Sequence, residues 1–227
     1  MKPEFDSYAG QYDTLLSDSL REGFAVKSFF HQRKLIVIRE FFRRRGLNPK
    51  ECSWVDIGCG QGDLLKLGMG DFAQTVGCDV SSAMLDTCEG LEVRHQERDD
   101  VLPFADRFAD LATAVCVYHH VPPSGRAALT CEARRILKAG GTFCIIEHNP
   151  LNPITRMIVK RSPVDLDAQL LGVSETCRLL EEQKFRIVRV EHFLFLPELL
   201  FRKVGYLESW LTWLPLGGQY AVFARAS

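Results

Sequence analysis

The chain has 227 residues, is 46% hydrophobic and carries a formal net charge of −1 at pH 7, with 28 Lys and Arg against 29 Asp and Glu. That length suits one substantial core with appendages, and the balanced charge excludes the strongly basic character of a general nucleic-acid binder. No uninterrupted apolar stretch reaches about 20 residues, so no spanning helix is expected.

Residues 1–50 read as helical. Tyr8, Tyr12, Leu15 and Leu16 suit one amphipathic face, and Phe24 to Phe42 carries apolar groups at roughly helical spacing. The run Arg43-Arg44-Arg45-Gly46 is a helix stop, with cations in the last turn and glycine after it. The polar, acidic stretch Met1–Asp18 has no secretory pattern, so a cytoplasmic location is expected.

The run Val55-Asp56-Ile57-Gly58-Cys59-Gly60-Gln61-Gly62-Asp63 follows. Branched apolar residues lead into three alternating glycines and then a helical pattern. This reads as a buried strand ending in a backbone tight enough to lie against a ligand. A dinucleotide loop would need G-x-G-x-x-G. Here the third glycine comes one residue early and Asp56 precedes the first. Its carboxylate would repel a phosphate but attract a cationic group.

Strand and helix then alternate from Ser53 to about His148, which argues for βαβ units and a parallel sheet. Asp79 ends a second apolar strand and is followed by Ser81, a helix cap. An acid at this distance past a glycine loop can take ribose hydroxyls. Arg98-Asp99-Asp100-Val101-Leu102-Pro103-Phe104 is a polar loop entering apolar residues. Phe108 to Val121 contains a strand buried on both faces, as a parallel sheet requires. His119 and His120 end this stretch. No metal spacing accompanies them, and adjacent residues seldom share one ion, so they read as structural or pocket-lining. In Leu137-Lys138-Ala139-Gly140-Gly141 the glycine pair is expected to end a helix, and the strand through Glu147 follows. Gly172 to Glu182 reads as a helix, Phe185 to Phe193 as a strand and Gly217 to Ala224 as the last strand. The eight cysteines are scattered without C-x-x-C, the pattern of reduced thiols, so neither zinc nor a thiol nucleophile is expected.

Taken together, D-x-G-x-G-x-G at Asp56–Gly62, the acid Asp79, the D-x-x-L-P-F-like segment at Asp99, the Phe108–Val121 strand and the L-K-x-G-G turn resemble the class I S-adenosylmethionine (SAM)-dependent methyltransferases, in their small-molecule branch. The resemblance covers residues 52–147 and departs in Ala139, where proline is usual. It implies a Rossmann-like three-layer αβα sandwich: a mostly parallel seven-stranded sheet with an antiparallel last strand, and an N-terminal helical lid over residues 1–50. It implies SAM as cofactor, with S-adenosyl-L-homocysteine as product. The backbone of Gly58, Cys59, Gly60 and Gly62 would lie against it, with Asp56 beside them. Asp79, flanked by Val80 and Met84, would hold the ribose, Asp99 or Asp100 the adenine, and Cys116 and Val117 the methionyl end. Tyr12, in a Tyr12-Asp13 pair like one found in relatives, would cover the cofactor.

Two regions exceed the family core, 149–171 and 194–216. The first should shape an acceptor site, because loops at the carboxyl ends of parallel strands border the crevice. The second is rich in Leu, Phe and Trp, and must pack on the core, close the pocket, meet another subunit or touch a membrane surface. His148 is the candidate general base, since an imidazole is available in neutral form near neutral pH. Glu147 would orient a partner or hold the loop. No N/D-P-P-Y/F tetrapeptide follows the fourth strand, which favours a small-molecule or lipid-attached acceptor, methylated at oxygen, and no nucleic-acid partner. An NAD(P)-dependent oxidoreductase on a similar sheet and a non-catalytic SAM-binding protein are the rival readings.

Overall fold

The computed structural model describes Asp6, Gly10 and residues 27–226. Seven strands form one sheet in the order β3-β2-β1-β4-β5-β7-β6. They are β1 (Ser53–Ile57), β2 (Gln74–Asp79), β3 (Glu92–His95), β4 (Ala109–Val115), β5 (Leu137–His148), β6 (Phe185–Phe193) and β7 (Gln219–Ala226). Strands β1 to β5 pair in parallel, and β7 runs antiparallel between β5 and β6. Because β6 is antiparallel to β7, its carboxyl end returns to the rim where β1, β2, β4 and β5 end. The second insert therefore opens on the same edge as the first, a point that sequence alone leaves open.

Side-chain alternation along the strands sends residues to two cores. Val55, Ile57, Phe143 and Ile145 face one side, with α4 (Pro123–Ile136) and α6 (Val173–Glu182). Trp54, Cys144 and Ile146 face the other, with α1 (Lys27–Arg45) and α2 (Asp63–Gly68). The molecule is thus the expected Rossmann-like αβα sandwich. α1 is a layer of it, and its Phe41 ring stacks on Phe223 of β7 with centroids 4.1 Å apart. The Arg run ends α1 as anticipated: Arg43 and Arg44 pair with Glu40, and Gly46 takes a φ of 63°.

One local expectation is corrected. Helix α4 stops at Ile136, before the glycine pair, and Leu137 is already extended. Gly140 and Gly141 lie within β5, where the pairing with β4 jumps between Ala109 and Leu111. Gly140 has φ 74°, and a Cβ there would come within 2.7 Å of Arg225 Nη2. The pair accommodates an irregularity in the strand instead of capping a helix.

The inserts form α5 (Pro153–Arg161), with a 3-10 turn at Pro163–Asp165, and α7 (Glu198–Val204), with a longer 3-10 segment at Gly205–Trp210. Asn149 Nδ2 donates to the carbonyls of Pro215 and Gly217, and Asn152 Nδ2 to that of Leu216, so the two inserts are joined. The second is also anchored inward. Arg33 of α1 and Glu208 form a buried ion pair, and the Arg33 guanidinium lies 3.8 Å from the Phe201 ring centre. Among the described residues no helix is long and apolar enough to cross a membrane.

Candidate active site

A cavity of about 690 Å³ lies at the carboxyl ends of the strands. One end is built by the glycine loop. Gly58, Gly60 and Gly62 all have positive φ, at 68°, 54° and 74°, which non-glycine residues rarely adopt. A Cβ at Gly58 would clash with Val117 at 2.6 Å, and one at Gly62 with Leu91 at 2.3 Å. At Gly60 a Cβ would meet nothing within 4 Å, so that backbone faces open space that a ligand can fill. Gly58, Cys59 and Gly60 line the cavity, whereas Gly62 lies behind it and shapes the turn.

Asp79 ties this loop to β2. Its Oδ2 accepts from Gly60 N at 2.8 Å and its Oδ1 from Ser81 N at 2.9 Å. Each oxygen keeps further acceptor capacity, as a pair of ribose hydroxyls needs. Burial pushes its pKa up, although those backbone donors work the other way. Ser81 caps the short α3 (Ser82–Leu85) by accepting from Met84 N, and donates to Asp6 Oδ1 at 2.6 Å. Val80, Met84 and Asp99 line the same end. Asp100 does not. It is exposed and paired with Arg98, which leaves Asp99 as the acid at the cavity.

The middle of the cavity holds charges that the sequence did not bring together. Asp56 is buried, accepts from Thr113 Oγ1 and has its pKa raised to about 7 by desolvation, with Lys34 pulling the other way. Lys34 Nζ lies 3.6 Å from Cys116 Sγ, and Gln219 Nε2 lies 3.4 Å from it. Burial alone would raise the Cys116 thiol, but Lys34 and His148 outweigh it and bring it to about 7. Cys116 sits at φ 58° just past β4. Gln219 Oε1 is buried without a hydrogen-bond partner among the described residues, an acceptor that a ligand donor can satisfy. Lys27, His31 and Lys34 also line the cavity. Their spacing of four and three residues on α1 is the signal in the sequence that could have found them.

At the far end, His148 lines the cavity with its ring 5.2 Å from that of His119. Glu147 is fully buried and lies outside the lining. Its Oε1 accepts from Tyr118 N at 2.7 Å, and its Oε2 lies 2.5 Å from His119 Nδ1. Burial opposes its charge, but the neighbouring His119 prevails and holds the carboxyl below its usual range. Glu147 therefore orients His119 and the loop. It makes no hydrogen bond to His148 among those seen. His119 is in turn pushed up to about 10: burial would lower it, but Glu147 and Asp165 outweigh that. Tyr8 and Tyr12 lie outside the described residues.

Residues 55–145 match the family model described as a methyltransferase domain, and this stretch contains the glycine loop, Asp79, Asp99 and Cys116. Over these residues the chain carries a methyltransferase domain. The cofactor of this domain is SAM, and the open face of Gly60 and the spare acceptors of Asp79 suit it. This methyltransferase is 30% identical over 113 residues to the Arabidopsis thaliana tRNA (carboxymethyluridine(34)-5-O)-methyltransferase. The match takes in 48% of this chain and 27% of that relative, so the chain spans about a quarter of the relative's length. Among solved structures, a Thermotoga maritima SAM-dependent methyltransferase, a possible histamine N-methyltransferase, superposes with a TM-score of 0.70 at 18% identity, over 98% of each chain. A chain from the complex of the Haloferax volcanii Trm112 methyltransferase activator with its partner gives 0.67 at 18% identity, over 100% of this chain and 99% of that one. At these identities the structures establish the shared fold.

Proposed function

We propose that this methyltransferase methylates an oxygen of a small-molecule or lipid-attached acceptor, with His148 as the general base. SAM, when bound, supplies the activated methyl carbon for an in-line displacement, and the protein supplies alignment and a dry site. Gly58, Cys59 and Gly60 give bare backbone for close approach, Asp79 takes the ribose and Asp99 the adenine edge. Lys34 and Asp56, a cation and an anion on one wall, suit the carboxylate and ammonium of an amino-acid end. Asp6, which accepts from Ser81 Oγ, covers the Asp79 end of the cavity.

The observation that carries the acceptor reading is the rim of the cavity. It is built by the two inserts, through Ile154, Ile158, Val164, Leu194, Phe195 and Leu196, which leaves an apolar approach to His148. A tRNA acceptor is the second reading, and the name of the Arabidopsis relative favours it, against the expectation of no nucleic-acid partner. That name also specifies an oxygen, in line with the proposed target.

Incubation with methyl-labelled SAM and separated lipid, small-metabolite and tRNA fractions tests both. Label in the lipid or metabolite fraction supports the proposal, and label confined to tRNA contradicts it. In the labelled reaction, His148→Ala should lower turnover by about 10²–10⁴-fold while leaving SAM affinity unchanged. Unaltered turnover would remove His148 from the role of base.

A further inference from the structure

Three metal-ligating side chains from two segments of the chain, the adjacent His119 and His120 and the distant Asp165, meet in the far wall of the cavity. His119 Nε2 lies 3.3 Å and His120 Nε2 3.5 Å from the same oxygen, Asp165 Oδ1, and the three candidate ligand atoms all fall within 4.8 Å of one another. A tetrahedral ion with bonds of about 2.0–2.1 Å holds its ligand atoms about 3.3–3.4 Å apart. Both imidazole-to-carboxylate spacings are already close to that value.

The surroundings fix these groups as a metal site requires. Glu147 Oε2, at 2.5 Å from His119 Nδ1, sets the tautomer that directs Nε2 at Asp165, the carboxylate–histidine arrangement found behind metal-bound imidazoles. Glu147 is itself fixed by Tyr118 N, and Gln169 N donates to the His119 carbonyl at 2.8 Å. His119 is buried, while His120 and Asp165 keep partial exposure and line the cavity. Two imidazoles and one carboxylate suit zinc and its first-row neighbours, whereas calcium and magnesium take oxygen ligands.

We propose that His119, His120 and Asp165 bind a divalent transition-metal cation, zinc foremost, at the acceptor end of the cavity. Three protein ligands leave a coordination position open toward the cavity. Assigning that position to an acceptor oxygen rests on the methyl-transfer reading; the metal site itself does not.

The test uses the full chain, freed of metal with a chelator and titrated calorimetrically with zinc alone. One saturable equivalent is expected. His120→Ala, at a partly exposed position, and Asp165→Asn should each weaken zinc at least about tenfold, with S-adenosylhomocysteine affinity and the circular dichroism spectrum unchanged. Absence of saturable binding, or the same zinc affinity in His120→Ala as in the wild type, overturns the site and leaves His119 as a buried imidazolium bridging two carboxylates. Zinc binding with no affinity for S-adenosylhomocysteine would sink the methyl-transfer reading and leave the metal site standing.

Discussion

Asp56 shows how single residues set the behaviour of the site. Burial raises its pKa to about 7, so near neutrality the empty protein holds a proton that the unfolded chain releases. The native state binds more protons between the unfolded value, about 3.9, and about 7. The stability that Asp56 contributes is full below that window and is lost as pH rises through it. A cationic ligand reverses the preference, because it stabilises the carboxylate. SAM affinity should therefore tighten as pH rises from about 6 to 8, with proton release visible as a dependence of binding enthalpy on buffer ionisation. Asp56→Asn should abolish both effects, and a pH-independent affinity in the wild type would contradict this assignment. Asp56 was legible in the sequence because it adjoins the glycine loop. Lys34, Gln219 and Asp165 were not, since each reaches the cavity from an element whose position only the sheet order and the inserts define.

At the scale of elements, the join between α1 and the second insert rests on the buried pair Arg33–Glu208. Glu208 also accepts from Phe195 N at 2.6 Å. Burial lowers the Arg33 pKa to about 10, yet it stays charged at neutral pH. Removing one partner leaves the other charge buried and unpaired. Glu208→Ala should cost about 3–5 kcal/mol in denaturant unfolding, whereas a loss under about 1 kcal/mol would mean that the insert is held by other contacts. The elements themselves were largely readable. Phe185 to Phe193 and Val173 to Glu182 follow local patterning, and β1 and β2 end in the acids and glycines that marked them. The glycine pair at Gly140-Gly141 misled because a helix stop and a strand irregularity use glycine for the same positive φ, and only the register between β4 and β5 separates them.

For the whole molecule, the parallel strands bring the glycine loop, Asp79, Cys116 and His148 to one rim, and the two inserts raise apolar walls around it. Phe201 turns inward onto α1, but Trp210 and Trp213 remain 78% and 74% exposed, and the insert helices α5 and α7 each end in a basic turn. Such a combination suits a membrane surface that carries the acceptor. Trp210→Ser with Trp213→Ser should reduce co-sedimentation with anionic phospholipid vesicles while changing stability by no more than about 0.5 kcal/mol per site. Equal sedimentation of wild type and variant would contradict a membrane-facing role. The motifs that identify the family span the cofactor half alone, which is why the acceptor half had to be read from packing.

The central claim is that the glycine loop presents bare backbone to SAM. Calorimetric titration of S-adenosylhomocysteine into the wild type and Gly60→Val tests it most directly. A Cβ at Gly60 meets no protein atom within 4 Å, so the substitution costs only backbone strain, about 1–3 kcal/mol, and intrudes on the ligand's space. Saturable one-to-one binding by the wild type and none by a folded Gly60→Val is the predicted result. Equal affinity in both proteins, or no binding by the wild type, would contradict the account.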